Sequence, residues 1–267
     1  MLSYQHIYHA GCLADVHKHA ALAVLLARLT EKPKPLTYME THAGRGAYDL
    51  EAPEALKTGE AKAGILRLMT NGSVPATHPY LQAINATRTR LGADWYPGSP
   101  MIARSLLRAG DALHLMELHP QEHAALKRMM SRDGAQIHKR DGYEGVLAIS
   151  PPAARRGLVL IDPSYEIKDE YAEVGDFILA LHRKWSQATI VLWYPILKQN
   201  YHKPVARRLE AAGLPDFWRR EVTFRTAEGD TGMQGSGLLM VNTPYGVEPA
   251  LTGAEAILAP ALVTAAG

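Results

Sequence analysis

The 267-residue sequence predicts an α/β protein with a mostly parallel sheet, an antiparallel edge and a small helical insertion. From residue 111 onward, short apolar runs alternate with segments of helical length, a pattern typical of parallel strands joined by helical crossovers. Only a loop separates the last two apolar runs, so we expect them to pair as the antiparallel edge. Residues 49–94 contain helix formers and turn residues without a strand pattern, which indicates the insertion.

The individual elements follow from local patterns in chain order. Residues 13–30 carry apolar side chains at near-helical spacing and stop before two prolines, which predicts a helix. Residues 36–46 then predict a strand that runs into a glycine turn. The remaining predictions are strands at 112–117, 135–141, 157–162, 188–196, 218–226 and 235–244, helices at 121–130, 169–185 and 203–213, and a short docked helix in the Ala-rich tail at 249–267.

The composition indicates an ordinary globular protein. Hydrophobic residues make up 47% and charged residues 21% of the chain, which excludes the disordered and fibrous classes. The formal net charge of +2 is too small to attract a polyanion through the field of the whole protein, so any nucleic-acid surface must be local. The single cysteine, Cys12, excludes an internal disulfide and a zinc site built from cysteines, and it suits a reducing cytoplasm.

The first residues do not have the pattern of a secretory signal or a membrane anchor. They are polar and aromatic, and the longest early apolar stretch, residues 20–29, has about half of the ~20 residues needed to cross a bilayer. We therefore expect a cytoplasmic protein with no membrane partner. We also expect a monomer, because no exposed apolar stripe is evident in the sequence.

Acidic residues stand at the ends of four successive predicted strands. These residues are Glu40, Glu117, Asp141 and Asp162. Ligands of an open parallel sheet bind beyond the carboxyl ends of its strands, so the four carboxylates are expected near one another. A single aspartate after a strand often serves only to cap the following helix. Four in succession favour a ligand site.

Three of these strand ends suit a nucleoside. Glu117 can accept both ribose hydroxyls, and the Asp141-Gly142 pair can face an adenine edge with its amine. Gly44 and Gly46 allow close backbone approach at the first strand end, although the spacing of a dinucleotide-binding fingerprint is absent. Because no basic or glycine-rich pyrophosphate cradle is present, the set fits S-adenosylmethionine better than NAD.

The fourth strand runs directly into Asp162-Pro163-Ser164-Tyr165, a group that can hold an amine for methylation. An adenine N6 nitrogen is a poor nucleophile because its lone pair is delocalised into the ring. An Asp162 oxygen and the Pro163 carbonyl can accept the two N6 hydrogens and turn the lone pair toward a methyl donor. Asp162 can also take the departing proton, and Tyr165 can stack on an extruded base. This chemistry requires no metal.

Four of the twelve histidines, His6, His9, His17 and His19, fall near the start of the chain, and such clustering can indicate a metal site. His17 and His19, however, stand at i and i+2, and such residues point away from each other on a helix. We therefore expect no metal, and we expect these histidines to pack or to cap.

Two further segments each allow two interpretations. Trp193 and Tyr194 end a predicted strand and either wall the base pocket or belong to the core. Residues 96–100 turn sharply through two prolines, and this turn either holds Ser99 toward the ligand or has no ligand.

The Asp-Pro-Ser-Tyr group looks like a variant of the DPPY motif of amino-methyltransferases, and the chain resembles the RlmJ family of 23S rRNA adenine-N6 methyltransferases along nearly its whole length. The resemblance is carried by LSYQHIYHAG, ADVHKH, ETHAGRGAYDL, YPGSP, ELHP, RDGYEG, RRGLVLIDPSYE, LWYP and GSGLLMVNTP. It implies a Rossmann-like class I S-adenosylmethionine-dependent methyltransferase. Residues 1–48 and 95–267 would form its core, residues 1–19 would lie near the active site, and residues 49–94 would form a helical insertion subdomain.

The resemblance also implies roles for individual residues. One adenine of 23S rRNA, naked or in an early assembly intermediate, would be methylated at N6 with S-adenosyl-L-methionine as methyl donor and without a metal. Asp162 would be catalytic, and Tyr4 would lie near the RNA. The residues expected to contact S-adenosylmethionine are His19, His42, Ser99, Glu117, Asp141, Gly142 and Asp162.

Two positions depart from the family pattern. Ser164 stands where a second proline is usual, so we expect a looser catalytic loop, and Cys12 stands where an asparagine is common. The Asp162 group also suits a DNA adenine-N6 or an rRNA guanine-N2 methyltransferase, and only the longer resemblance favours rRNA adenine. A catalytically degenerate RNA-binding protein is a third alternative. Loss of the second proline favours it, whereas the intact acidic strand ends oppose it.

Overall fold

The computed structural model describes residues 4–225 and 232–262. The strands in these ranges are β1 (Thr37–Glu40), β2 (Ala47–Asp49), β3 (Trp95–Pro97), β4 (Ala112–Met116), β5 (Gln136–His138), β6 (Gly157–Ile161), β7 (Ala188–Ile196), β8 (Trp218–Thr223) and β9 (Gly235–Val241). The helices are α1 (Leu13–Thr30), α2 (Pro53–Thr58), α3 (Glu60–Ala63), α4 (Ile65–Thr70), α5 (Pro79–Leu91), α6 (Ser99–Leu106), α7 (Pro120–Met130), α8 (Gly142–Ile149), α9 (Glu170–Lys184), α10 (His202–Ala211) and α11 (Glu248–Ala256).

Seven strands form one sheet in the order β5-β4-β1-β6-β7-β9-β8. The first five strands in this order run parallel to one another, and β9 runs antiparallel to both β7 and β8. The predicted α/β class, with a mostly parallel sheet and an antiparallel edge, is therefore confirmed. Because β5, β4, β1 and β6 are adjacent and parallel, the four acidic residues that follow them come to the same edge of the sheet.

Helices cover both faces of the sheet. Successive residues of a strand point to opposite sides, so each strand contributes to the core on both faces. Leu158 and Leu160 of β6 pack in the cluster that includes α1, α5, α6 and α11. Val159 and Ile161 pack in the cluster that includes α8, α9 and α10. All five residues of β6 are buried, which explains its continuous apolar sequence.

The predicted helix at 13–30 is present as α1, the central helix of its layer. It is buried from Ala14 to Leu26 and contacts α5, α6, α11 and β9. Asp15, Lys18 and His19 are polar residues within this buried stretch. Polar groups are costly to bury without partners, so these three side chains are expected to have polar partners near the amino-terminal half of the helix.

The structure differs from the sequence prediction at two helices and one strand end. Helices α6 and α8 lie where only turns or strand ends were expected, and β5 ends at His138 rather than at Asp141. Gly142 and Gly145 weaken the helical pattern of α8. Pro100 resembles a turn residue, although a proline in the first turn of a helix is favourable and here belongs to α6.

Helices α2 to α5 lie in the range where the sequence predicts a helical insertion. A two-stranded antiparallel ribbon frames this range, with Ala47 paired to Pro97 and Asp49 paired to Trp95. Strands of three residues are too short to show alternation, so the ribbon was not predicted. The assignment of 49–94 to a separate subdomain stays a prediction, since α5 packs directly on α1 and α6.

The tail prediction is partly visible as α11, which docks on α1. Residue 226 of the predicted strand 218–226 and residues 263–267 of the tail lie outside the described residues. Within the described ranges, none of the helices combines the length and the apolar character that crossing a membrane would require.

Gly157 at the start of β6 is a position where an added methyl group should be costly to the sheet. A Cβ there would lie 2.2 Å from Cη2 of Trp185 and 2.6 Å from the carbonyl oxygen of Thr37. We expect Gly157→Ala to lower the free energy of unfolding by roughly 1–3 kcal/mol, because neither the ring nor the strand can move without loss of packing. Urea unfolding measures this change.

The matched control is Gly110→Ala, where the added Cβ would meet nothing within 4 Å. We expect this variant to differ from wild type by less than about 0.5 kcal/mol. Equal losses of stability in the two variants would contradict the packing argument.

Candidate active site

A cavity of about 320 Å³ opens at the carboxyl ends of β1, β4, β6 and β7. Its walls include residues 42–44, which follow β1, Glu117 after β4, residues 162–166 after β6, and side chains from the last part of β7. The chain segment before and within the start of α1 forms the opposite wall. This is the edge of the sheet where a ligand of an open parallel α/β protein is expected.

The cavity brings together most of the site residues that the sequence predicts. Those on its wall are Tyr4, His19, His42, Ser99, Glu117, Asp162, Pro163 and Tyr165.

Asp141 and Gly142 are not on the cavity wall. Asp141 is exposed, and its Oδ1 accepts the backbone N–H of Glu144 at 2.9 Å as the N-cap of α8. Gly142 is buried against the end of β1, where a Cβ would lie 2.0 Å from the carbonyl oxygen of Thr41. The capping role is a sufficient structural reason for an aspartate here. The contact of these two residues with S-adenosylmethionine stays a prediction.

Glu40 is fully buried below the cavity, and Ser99 is bound to it. The Ser99 hydroxyl donates to one Glu40 carboxylate oxygen, and the Tyr38 hydroxyl donates to the other at 3.0 Å. Burial raises the pKa of Glu40 to about 8, against the opposing effect of these hydrogen bonds. The position of Ser99 on the wall is thus fixed by an acid that stays largely protonated at neutral pH.

Glu117 presents a nearly buried carboxylate to the cavity. Its Oε2 accepts the backbone N–H of Gly44 at 2.8 Å, and its Oε1 accepts that of His119 at 2.7 Å. Burial raises the pKa of Glu117 to about 7 although both hydrogen bonds favour the charged form. Gly44 has φ +58°, and a Cβ there would lie 2.4 Å from the Tyr48 hydroxyl. A glycine is therefore required for this contact between the two strand ends.

Lys18 is the main functional candidate that sequence reasoning missed. Its ammonium lies 2.5 Å from Oδ2 of Asp162 and 3.1 Å from Oδ1 of Asp15, and the side chain is only 4% exposed. Burial lowers the pKa of Lys18, but the carboxylates of Asp162 and Asp15 outweigh this effect and raise the pKa above its usual range. Lys18 therefore stays charged and binds the predicted catalytic carboxylate.

Asp15 connects this ion pair to the start of the chain. Its Oδ2 is 2.8 Å from Nε2 of His6 and accepts the backbone N–H of Gly11 at 2.9 Å. Nδ1 of His6 is in turn 2.8 Å from the Tyr4 hydroxyl. Burial opposes ionisation, yet His6 and Lys18 hold the pKa of Asp15 well below its usual range. A continuous polar network thus joins Tyr4 to Asp162.

The predicted cofactor-side histidines are both neutral, with His19 buried and His42 half-buried. Burial lowers the pKa of His19 to about 3, and its Nδ1 lies 2.8 Å from the Tyr96 hydroxyl. Burial also lowers the pKa of His42, whose Nδ1 lies 2.8 Å from the Thr41 hydroxyl. His17 points the other way, toward Ser236, as expected for i and i+2 positions on a helix. In the part of the chain that the structure describes, no group of three or more candidate ligands could hold a metal ion.

The loop after β6 is held in an unusual conformation. Tyr165 has φ +55°, which is unfavourable for an aromatic residue and is often found at functional sites. Its hydroxyl donates to the Trp193 carbonyl at 2.8 Å. The neighbouring Ser164 hydroxyl donates to Glu170 at 3.4 Å. These contacts supply restraint in a loop that lacks the second proline.

The two aromatic residues near the end of β7 have different roles. Trp193 is on the cavity wall, and its Nε1 donates to the Ser236 hydroxyl at 2.8 Å. Tyr194 is fully buried on the other side of the sheet, and its hydroxyl donates to Glu221 at 2.8 Å. Because side chains alternate along a strand, Trp193 lies on the wall of the cavity and Tyr194 belongs to the core.

The sheet topology together with this cavity defines a Rossmann-like class I S-adenosylmethionine-dependent methyltransferase. A carboxylate after β4, a glycine turn after β1 and an Asp-Pro-Ser-Tyr loop after β6 all face one cavity.

Comparisons with known proteins then identify the family. The family model described as "Ribosomal RNA large subunit methyltransferase D, RlmJ" matches residues 33–267, so the chain belongs to this family. It is 38% identical over 250 residues to ribosomal RNA large subunit methyltransferase J of Escherichia coli K12, covering 93% of this chain and 89% of that protein. It is 39% identical over 253 residues to the protein of the same name from Haemophilus influenzae Rd, with the same coverage of both chains.

A crystal structure of a Legionella pneumophila protein has the same fold. It superposes with a TM-score of 0.84 at 35% identity, covering 94% of this chain and 93% of that one. The resemblance to the RlmJ family, expected from the sequence motifs, is therefore confirmed.

The buried Glu40 predicts a specific pH dependence of stability. The pKa of about 8 in the folded state lies above the value of an unfolded glutamate, so the folded protein binds the extra proton. This contribution to stability is fully present below about pH 4.5 and is lost as the pH rises through 8. Across this window, Glu40 should lower the free energy of unfolding of wild type by an amount on the order of 2–4 kcal/mol. Replacing Glu40 with glutamine should abolish this decrease. Urea unfolding at several pH values measures both.

Glu51→Gln, at an exposed glutamate, is the control and should leave the pH dependence of wild type unchanged. If Glu40→Gln and wild type lose stability in parallel between these pH limits, Glu40 is ionised in the folded protein and the assignment is wrong.

Proposed function

We propose that the protein transfers a methyl group from S-adenosyl-L-methionine to the exocyclic N6 of one adenine in 23S rRNA. The observation that carries the proposal is the Asp162 carboxylate, fixed by Lys18 at the cavity wall beside Pro163 and Tyr165. An exocyclic amine needs such a pair of acceptors, a side-chain oxygen and a carbonyl, to orient both of its hydrogens.

The residues on the β1 and β4 side of the cavity suit the methyl donor. S-adenosyl-L-methionine supplies an electrophilic methyl group when bound. Each Glu117 oxygen accepts one backbone N–H, and a carboxylate oxygen can accept a second hydrogen bond, so both remain able to bind ribose hydroxyls. Neutral His42 and His19, with Ser99, complete the proposed contacts. The cavity volume of about 320 Å³ lies in the range of small-molecule sites.

The residues after β6 and β7 suit the adenine. Lys18 binds Oδ2 of Asp162, and we assign Oδ1 to one N6 hydrogen and the Pro163 carbonyl to the other. Tyr165 would stack on the extruded base, with Trp193 as the neighbouring wall. Tyr4 closes the network on the side from which RNA would enter.

The Lys18 contact favours one role of Asp162 over another. A carboxylate that already binds an ammonium is a weak base but can still accept a hydrogen bond. It is therefore better suited to orient the amine than to deprotonate it. The amine becomes acidic only as the methyl group transfers, so early deprotonation is not needed. We propose that Asp162 orients N6 first and accepts the proton late.

The substrate class follows from the family. The relatives carry the name of a ribosomal RNA large subunit methyltransferase, and we extend that substrate to this chain. We propose that it acts as a cytoplasmic monomer on naked or partly assembled 23S rRNA. Because the formal net charge is only +2, the RNA contacts would come from local basic surfaces.

The direct test is the replacement of Asp162 by asparagine, which keeps the shape but removes the charge. We expect a fall in kcat of roughly 10²- to 10³-fold, because amine orientation is lost while the cofactor side of the cavity is unchanged. Transfer of labelled methyl from S-adenosyl-L-methionine to unmodified 23S rRNA measures the rate. Asp169→Asn, at an exposed aspartate of the next helix, is the control. Cofactor binding by wild type without transfer to 23S rRNA would contradict the function.

Lys18 should be required for the rate but not for cofactor binding. Lys18→Met removes the cation shared by the buried Asp15 and the partly buried Asp162, and we expect kcat to fall about 10- to 100-fold because Asp162 is no longer fixed. The Kd of S-adenosyl-L-methionine from calorimetry should change little. Lys32→Met, at an exposed lysine, is the control. A normal kcat in Lys18→Met, with the variant folded, would show that the ion pair has no part in the reaction.

A further inference from the structure

A second recess lies outside the active-site cavity, between the start of α9 and the segment that joins β7 to α10. Its volume is about 380 Å³. The residues that the argument uses are Lys168, Tyr171, Gln199, Asn200, Tyr201 and Arg208. We call this recess the α9–α10 groove. Nothing in the proposed methyl transfer uses it.

The groove is continuous with the active site through a series of aromatic rings. The ring of Tyr165, on the cavity wall, lies 4.4 Å from that of Tyr171. The ring of Tyr171 lies 6.0 Å from that of Tyr201 in the groove. The backbone segment after β7 also serves both sites, since Leu197 lines the cavity and Gln199 lines the groove. A chain that enters the cavity therefore passes close to the groove.

Tyr171 contributes a buried polar atom that has no partner in the described part of the protein. The residue is only 5% exposed, and its hydroxyl has no hydrogen-bond partner among the described residues. A buried hydroxyl without a partner is costly, and native proteins rarely retain one without a function. Because Tyr171 lines the groove, a ligand bound there could supply the partner.

The charge of the groove favours an anion. Two cationic residues, Lys168 and Arg208, line it, and no carboxylate belongs to the lining of the described groove. The Lys168 ammonium lies over the Tyr201 ring, 5.0 Å from the centroid. Arg208 pairs with the exposed Asp176 at 2.5 Å, which offsets part of its charge, so Lys168 is the main cation for an anionic ligand. Aromatic rings beside cations are the combination by which proteins hold single-stranded nucleic acid.

We propose that the α9–α10 groove binds a nucleotide next to the target adenine in the single-stranded part of the RNA. Its base would stack against Tyr201, its phosphate would contact Lys168, and the Tyr171 hydroxyl would bind its sugar or base edge. The inference rests on the proposed function, because it takes the substrate to be RNA. The groove makes no contact with the methyl donor, so its contribution is to RNA affinity and placement.

The first test is steady-state kinetics with a 23S rRNA transcript. Tyr201→Ala should raise the KM for RNA roughly 5- to 100-fold with kcat at saturation nearly unchanged, because one stacked base is lost. Tyr201→Phe should keep most of the wild-type affinity. Tyr171→Phe, which removes only the hydroxyl, should raise KM by a smaller factor. Lys168→Ala should reduce the slope of log affinity against log salt by about 0.7, as for one phosphate contact on a single strand.

Tyr245→Ala is the matched control. Tyr245 is 95% exposed and follows β9, whose last residue, Val241, pairs with Ile190 near the start of β7. It therefore lies at the edge of the sheet opposite to the cavity. An unchanged KM is expected for Tyr245→Ala, and an unchanged Kd of S-adenosyl-L-methionine is expected for all variants.

The second test locates the RNA independently of catalysis. A 23S rRNA transcript containing 4-thiouridine is cross-linked to wild-type protein, and the modified peptides are mapped by mass spectrometry. Cross-links within residues 198–208 that disappear in Tyr201→Ala support the groove even if no methyl transfer to 23S rRNA is detected. Methyl transfer with an unchanged KM in Tyr201→Ala, and cross-links elsewhere, would overturn the groove proposal while leaving the proposed function intact.

Discussion

The ion pair between the buried Lys18 and the partly buried Asp162 is the interaction on which the site depends. A charge inside a protein is tolerated only when it is paired and hydrogen-bonded, so helix α1 cannot present Lys18 to the interior without the two aspartates. Asp15 also binds His6 and the backbone of Gly11, so the same cluster fixes the chain before α1. The Asp162 carboxylate, the central helix and the chain segment before it thus form one electrostatic unit.

The sheet topology explains why this unit faces the cavity. Adjacent parallel strands end at one edge, and each contributes a different chemical group there: the Gly44 turn after β1, the Glu117 carboxylate after β4 and the Asp162 loop after β6. The antiparallel strand β9 supplies Ser236, which supports Trp193 from behind the cavity. In the proposed reaction, donor and acceptor substrates would therefore meet between elements that are distant in sequence but held together by the sheet.

Much of this was predictable from sequence, for physical reasons that differ between residues. Asp162 follows a buried apolar strand, and that signal is local. Lys18 gave no such signal, because its partner Asp162 lies 144 residues away and a lysine in a helix is ordinarily solvated. Asp141 resembled the other acidic residues at strand ends, but it caps helix α8. That helix was not predicted, because its glycines weaken the helical pattern. For Trp193 and Tyr194, alternation indicates opposite faces but not which face holds the cavity.

The most direct measurement is the identity of the nucleoside that receives the methyl group. The protein would be incubated with unmodified 23S rRNA and S-adenosyl-L-methionine carrying a deuterated methyl group, and the digested RNA would be analysed by mass spectrometry. We expect deuterated N6-methyladenosine as the labelled nucleoside, because the Asp162 and Pro163 acceptors match an exocyclic amine beside a stacked base. Label in N2-methylguanosine, or on a ring nitrogen or ribose oxygen, would contradict it.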